Sequence, residues 1–102
     1  MTDQLQIDRE ENETKGRYVA RAPGGPEAEM TFTKVGKHQM IIDHTEVPDA
    51  YRGQGVGARL VERAVDDARA AGVTVIPLCP FAAAQFRRHP EWADVLRKKP
   101  VA

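Results

Sequence analysis

The hydrophobic period of this chain changes across eight residues, Tyr51-Arg52-Gly53-Gln54-Gly55-Val56-Gly57-Ala58. Ahead of them apolar and polar residues alternate, the period of a half-buried strand. Behind them apolar residues recur every three or four positions, the period of an amphipathic helix. Four alternating segments precede the switch: Leu5–Arg9, Gly16–Ala22, Ala28–Val35 and His38–Val47. Pro23-Gly24-Gly25-Pro26 and Gly36-Lys37 are turn chemistry, joining the second segment to the third and the third to the fourth at close range. Tyr18 and Ala20 share one face of the second segment, with Val19 and Arg21 on the other; Met30, Phe32 and Lys34 oppose Thr31, Thr33 and Val35 in the third. Alternating segments on short connections predict an antiparallel meander.

After the switch, Val56, Leu60, Val61, Ala64, Val65, Ala68 and Ala71 predict a helix from Gly55 to Ala71, stopped by Gly72. Val73–Leu78 is apolar on both faces and reads as a buried fifth strand. Pro80–His89 has helical composition, with Phe81, Gln85, Phe86 and His89 along one side. It ends at His89-Pro90, because the residue before a proline disfavours the α region. Glu91–Leu96 is expected to make a short helical turn around Trp92, and Arg97–Ala102 a loose tail. Four strands, helix, strand, helix within 102 residues predict a single α+β (mixed α/β) domain over 1–102, its core at about 5–96.

Composition narrows the functions open to such a domain. At 41% hydrophobic and 29% charged residues it is an ordinary globular chain. The lone Cys79 rules out an intramolecular disulfide and argues against a Cys-based zinc site. No His/Asp/Glu group has ligand spacing, so no metal is expected; His38 and His44 share a face but lie ~20 Å apart at ~3.3 Å per residue. The opening residues carry no basic start followed by an apolar run. The most apolar stretch, Val73–Ala84, is too short to span a bilayer and holds Pro77 and Pro80. A cytoplasmic monomer without a membrane partner is therefore expected. The net charge of zero hides an asymmetry: residues 1–50 hold six Lys/Arg and ten Asp/Glu, residues 51–102 nine and five. Such imbalances are common in small domains, but an anionic ligand would prefer the second half. Basic residues are not interleaved with aromatics, so nucleic acid is not an expected partner.

The octapeptide joins a strand to the first turn of a long helix, where backbone N–H groups are unpaired and carry partial positive charge. Glycines at alternate positions let the backbone approach a ligand closely, and Arg52 adds a full charge at the rim. The combination suits an anion, most often phosphate; a plain tight bend between strand and helix is the structural alternative. A Walker loop needs Gly-Lys-Ser/Thr, but Gly57 is followed by Ala58 and Arg59. A dinucleotide fold needs a later third glycine and an acidic residue about 20 positions on, yet no acidic residue lies between Asp67 and Glu91.

Arg52-x-x-Gly55-x-Gly57 resembles the Gln/Arg-x-x-Gly-x-Gly/Ala pyrophosphate loop of the GNAT superfamily of acyl-CoA-dependent N-acetyltransferases. His44-Thr45-Glu46-Val47-Pro48 before the loop, and Cys79-Pro80-Phe81 followed by His89-Pro90-Glu91-Trp92, resemble its small single-domain YjdJ-type branch. The similarity covers about residues 15–96. It implies an acetyl-CoA-dependent N-acetyltransferase with a small-molecule acyl-CoA as partner and an unidentified amine as acceptor. It also implies pyrophosphate on the amides of Arg52, Gly53, Gln54, Gly55, Val56, Gly57 and Ala58, and a pantetheine arm beside Thr45, Glu46 and Val47, where the fourth strand splays from the fifth. Cys79 and Phe81 are assigned to the same cofactor site. Two departures stand out. Larger members place about two helices between their first and second strands, where this chain has only Arg9–Lys15. Those members also carry an Asn after the fifth strand and an acidic Tyr seven residues later, where this chain has Cys79 and Phe86.

Cys79 precedes a helix start at Pro80, and a helix N-terminus lowers a thiol's pKa. Beside a thioester it could take the acetyl group or protonate the departing thiolate; as a small hydrophobe it could equally just pack. His44 shares a strand face with Glu46 and could relay a proton from the amine, or stand as a buried imidazole bonded to a neighbouring strand. His38 is expected in solvent, His89 at its helix end, and Phe81, Phe86 and Trp92 packed on the sheet. Arg87 and Arg88 either flank a phosphate entrance or face solvent. Cys79 and His44 are thus the expected catalytic pair. The rival function is a non-catalytic acyl-CoA-binding module acting as sensor or partner, favoured by the missing tyrosine and the missing helices.

Overall fold

The computed structural model describes residues 5–97. Its elements are β1 (Gln6–Glu11), β2 (Lys15–Arg21), β3 (Ala28–Val35), β4 (Gln39–Glu46), α1 (Val56–Ala71), β5 (Thr74–Pro77) and α2 (Pro80–Arg88), with 3-10 turns at Asp49–Tyr51 and Pro90–Trp92. The strands form one sheet in the order β1-β2-β3-β4-β5. The first four pair antiparallel, as their short turns require, and β5 joins β4 in parallel after the α1 crossover. The expected α+β architecture is the one observed.

Boundaries differ where pairing, not pattern, sets them. β1 runs on to Glu11 because β2 stays in register beside it, Glu10 opposite Arg17 and Glu11 opposite Gly16. The connection then turns on Asn12, whose side-chain oxygen accepts the N–H groups of Thr14 and Lys15, each at 2.9 Å. No helix intervenes between β1 and β2. β5 is shorter than the apolar run: Val75 and Ile76 are buried, but Leu78 is 63% exposed. Nor is Arg97 loose. Leu96 bridges to Val75 in parallel, and the Arg97 N–H donates to the Val75 carbonyl at 2.8 Å, covering part of the outer edge of β5. The remainder of the expected tail, 98–102, lies outside the described residues.

One irregularity decides which way β4 faces. Phe32 pairs with Ile42, but Thr31 pairs with His44, so Asp43 is an extra residue bulged out of the ladder. Strict alternation would keep Ile42, His44 and Glu46 on one face. The bulge instead puts Thr45, opposite buried Met30, on the core face with Ile42, and turns His44 and Glu46 away. His44 therefore does not share a face with His38.

The core lies between the sheet and the two helices. Tyr18, Met30, Phe32 and Ile42 meet Leu60, Val61, Ala64 and Val65 of α1, with Ala82 and Phe86 of α2 at one end. Each fully buried large side chain contributes about 1.5–3 kcal/mol. α1 ends at Gly72, in the left-handed region (φ 70°), with Val73 N–H closing back on the Ala68 carbonyl at 2.8 Å. No described helix is long and apolar enough to cross a membrane.

Candidate functional site

The loop between β4 and α1 is pinned from behind. Tyr51, 6% exposed, donates its hydroxyl to the Pro26 carbonyl (2.6 Å) and accepts the Ala22 N–H (3.0 Å), tying the loop to the β2–β3 turn. Tyr51 was not singled out from the sequence as a site residue. It is what holds the following backbone in place. The three glycines then serve two different ends. Gly53 and Gly55 have φ of 78° and 72° with open space around them, so they supply left-handed backbone. Gly57 is helical, and a Cβ there would sit 2.7 Å from the Phe81 ring. Its missing side chain makes room for α2.

Gly55 is the N-cap of α1, and no side chain caps the helix. The first-turn N–H groups of Val56, Gly57 and Ala58 have no partner within the helix, and the dipole adds positive potential there. They border a cavity of about 300 Å³ closed by Val47 on one side and by Phe81, Gln85 and Arg88 of α2 on the other. Phe81 is 39% exposed, so it lines this opening and does not pack on the sheet as expected. Arg52 stands at the rim, its side chain 82% exposed and paired with Asp49 at 2.8 Å. No acidic residue lines the cavity. Sequence reading placed Gln85 only on a helix side. In the structure it is 6% exposed, and among the described residues it makes no side-chain hydrogen bond. The only sequence signal was its position four residues after Phe81 and three before Arg88.

The inner end of the site is the apex where β4 and β5 part. Their ladder stops at Ile42 opposite Pro77, and the Cys79 N–H still reaches the Ile42 carbonyl at 3.1 Å. Past that point Cys79, a free and buried thiol, lies 3.4 Å from the Thr45 hydroxyl. Thr45, Val47, Cys79 and Phe81 thus come together with the 52–58 loop on the helix side. His44 and Glu46 do not. Both are exposed on the opposite sheet face, so the expected Cys79–His44 pair is divided between the two sides of β4. Phe86, at the position of the expected acid, is buried edge-on to Trp92 (centroids 5.4 Å apart) and has no proton to give. His38 is exposed, and His89 ends α2 with its ring stacked on Trp92 at 4.0 Å. Arg87 and Arg88 are both exposed, and only Arg88 borders the cavity. Among the described residues no group of three His, Cys, Asp or Glu could hold a metal.

A larger depression, about 580 Å³, opens on the sheet face that carries no helix. It borders Glu10, Arg17, Thr31 and Asp43, and ion pairs from Arg17 to Glu10 (3.0 Å) and to Glu29 (2.8 Å) cross that face.

Residues 17–95 match a family model described as GCN5-related N-acetyl-transferase. A solution structure of a GCN5-like candidate N-acetyltransferase from Staphylococcus aureus is 30% identical with a TM-score of 0.68, covering 95% of this chain and 92% of that one. The crystal structure of a ribosomal-protein-alanine N-acetyltransferase from Brucella melitensis shares the fold, with a TM-score of 0.63 at 15% identity over 89% of this chain and 67% of that one. Among curated proteins, Protein NATD1 of Gallus gallus and Mus musculus is 46% identical over 39 residues, 38% of this chain and 36% of theirs. The match spans about a third of the length of those relatives.

Proposed function

This chain belongs to the GCN5-related N-acetyl-transferase family, and from that premise we propose that it transfers an acetyl group from acetyl-CoA to an amine. The observation that carries the reading is the uncapped N-terminus of α1. It opens on a cavity lined by no acidic residue, and a free thiol, Cys79, follows the end of the neighbouring β4–β5 ladder. When bound, acetyl-CoA supplies the activated acyl group and a thiol leaving group. The amides of residues 52–58 hold the pyrophosphate, with Arg52 at the rim. The backbone of β4 at Thr45–Val47 lies beside the pantetheine arm, with the Thr45 and Val47 side chains on its side and Glu46 turned away, and Phe81 shields it from water. Cys79 protonates the departing thiolate, and the amine approaches from the helix-free face, where His44 takes up its proton. The direct β1–β2 link supports a compact enzyme of the YjdJ type. A second reading, an acyl-CoA-binding module without transfer, is favoured by Phe86, which removes the usual acid.

Calorimetric titration with acetyl-CoA, followed by thiol release against a panel of polyamines and peptide amines, tests both. Cys79→Ala is expected to keep CoA affinity within about threefold, since a thiol adds little to binding, while transfer falls ~10²-fold. Equal transfer rates remove Cys79 from the chemistry. Binding without transfer to any amine selects the module, and absence of CoA binding overturns both readings.

A further inference from the structure

The bulge at Asp43 puts a hydroxyl against the thiol. With Asp43 extruded, Thr45 pairs with fully buried Met30 and faces inward, where strict alternation would have turned it out. Its oxygen lies 3.4 Å from the Cys79 sulfur, whose S–H donates to it. Both residues are held from behind. The Cys79 N–H donates to the Ile42 carbonyl at 3.1 Å, and the Cys79 carbonyl accepts the Ala83 N–H at 3.0 Å. The cysteine backbone is thereby tied to β4 on one side and to α2 on the other. Cys79 is the N-cap residue of α2, but its side chain does not cap the helix. Thr45 is β-branched and stiff about χ1. Among the described residues neither side chain has another hydrogen-bond partner. A threonine hydroxyl can accept and donate at once, and here only its accepting side is used.

We infer that Thr45 is a positioning residue for Cys79: it fixes the thiol while the sulfur is protonated and turns its O–H to the sulfur once the proton has gone. This rests on the acetyl-transfer reading above, in which Cys79 is the acid. In that step the thioester C–S bond breaks after the amine nitrogen has bonded to the acyl carbon. The Cys79 S–H proton passes to the departing sulfur. The surplus proton on nitrogen leaves through His44 to water, and water returns one to Cys79. Between those transfers Cys79, 6% exposed, carries a negative charge in a place that disfavours it. A hydrogen bond donated to the charged form offsets that cost, and the Thr45 O–H is the side-chain donor in reach of the sulfur among the described residues.

Cys79 is the only cysteine of the chain, so alkylation by iodoacetamide, followed by mass, reports on this pair without any acyl donor. The test compares wild type, Thr45→Val, which keeps the branched shape without the hydroxyl, and Thr45→Ser, which keeps the hydroxyl. At neutral pH Thr45→Val should be alkylated about fivefold more slowly: the lost hydrogen bond lowers the thiolate fraction about tenfold or more, and greater nucleophilicity returns part of it. At high pH, where every thiol is ionised, its rate should equal or exceed that of wild type. Thr45→Ser should stay near wild type throughout. In acetyl transfer Thr45→Val should lose about tenfold in kcat with KM for acetyl-CoA within about twofold. In the Cys79→Ala background it should cost nothing further, since it acts through the sulfur. Equal alkylation of wild type and Thr45→Val overturns the inference and leaves the acetyl-transfer reading standing. Slowing by one factor at every pH overturns it too, because Thr45 would then govern access. Slowed alkylation with undiminished transfer overturns the role of both residues in the reaction and leaves acetyl transfer itself standing. A wild type that transfers to no amine overturns the activity and the role of Thr45 in it, whatever the alkylation rates.

Discussion

The two stretches of α1 treat polar groups in opposite ways. At its first turn the helix has no side-chain cap, and its N–H groups border an open cavity also lined by Gln85. About three turns on, at Asp67, nothing is left over. Tyr18, fully buried, donates its hydroxyl to Asp67 at 2.8 Å and accepts from Arg9 at 2.9 Å. Arg63 donates to both Asp67 oxygens at 3.2 Å and also to the Ile7 carbonyl at 3.1 Å. One helix therefore holds a satisfied cluster that fastens β1 and β2 to it, and an end without a side-chain cap that borders a cavity. Satisfied polar groups in a part-buried site add stability; unsatisfied ones mark where stability has been forgone for binding.

The strongest way to break this contrast is at Gly55. Gly55→Asp places a negative side chain at the cradle and a non-glycine residue at φ 72°. CoA affinity should fall at least ~10²-fold, because the anion site at the helix end now carries the wrong charge. Stability should fall by only about 1 kcal/mol, the cost of left-handed backbone without glycine. Calorimetry and urea unfolding on the same variant check both, and undiminished CoA affinity would show that the loop does not hold the phosphates.

At the other stretch the effects should invert. Tyr18→Phe leaves Asp67 and Arg9 short of one partner and should cost about 1–3 kcal/mol with CoA affinity unchanged. The cluster also sets a pH profile. Burial raises the Tyr18 pKa well above the ordinary phenol value, and the hydrogen bond to Asp67 adds to this. That stabilisation is fully present below about pH 10, the unfolded value, and is lost as pH rises beyond it. Burial works to raise the Asp67 pKa, but the Tyr18 hydroxyl and the Arg63 guanidinium outweigh it and hold the carboxyl below its usual range. That contribution is present above about pH 4 and is lost as pH falls through the lowered folded value. Urea unfolding across pH should show Tyr18→Phe flattening the alkaline arm and Asp67→Asn the acid arm. Profiles parallel to wild type would detach the cluster from stability.

The smallest effect belongs to Arg52. Its exposure and its pairing with Asp49 leave it a screened charge at the rim. Arg52→Ala should weaken CoA binding only about twofold at low salt and flatten the decline of affinity with ionic strength. A loss comparable to that of Gly55→Asp would move the centre of the anion site from the backbone to this side chain.

Most of the scaffold was legible because its signals are local. Alternation located the four antiparallel strands, the three-to-four spacing from Val56 to Ala71 located α1, and Gly72 marked its end within one residue. Of the candidate site, the 52–58 loop could be read for the same reason: backbone conformation at Gly53 and Gly55 is dictated by those residues themselves. Gly57 could not be read correctly. A helical glycine looks the same in sequence whether it admits a ligand or a neighbouring ring, and only the arrival of Phe81, 24 positions later, decides it.

The sequence by itself determined element order, the turn between β4 and α1, and the presence of a thiol after β5. Tertiary structure alone decided what these groups face. The bulge at Asp43 exists because β3 pairs with β4 on both sides of one extra residue, and no alternation pattern inside β4 records it. It turns Thr45 toward Cys79 and sends His44 to the opposite face. The same holds for Gln85, which is an ordinary helix residue until α2 docks against the start of α1 and places it in the lining of the cavity. The physical reason is common to all of these. Local propensity fixes backbone conformation within a few residues, whereas burial, facing and hydrogen-bond satisfaction are set by contacts between segments that meet only in the folded chain.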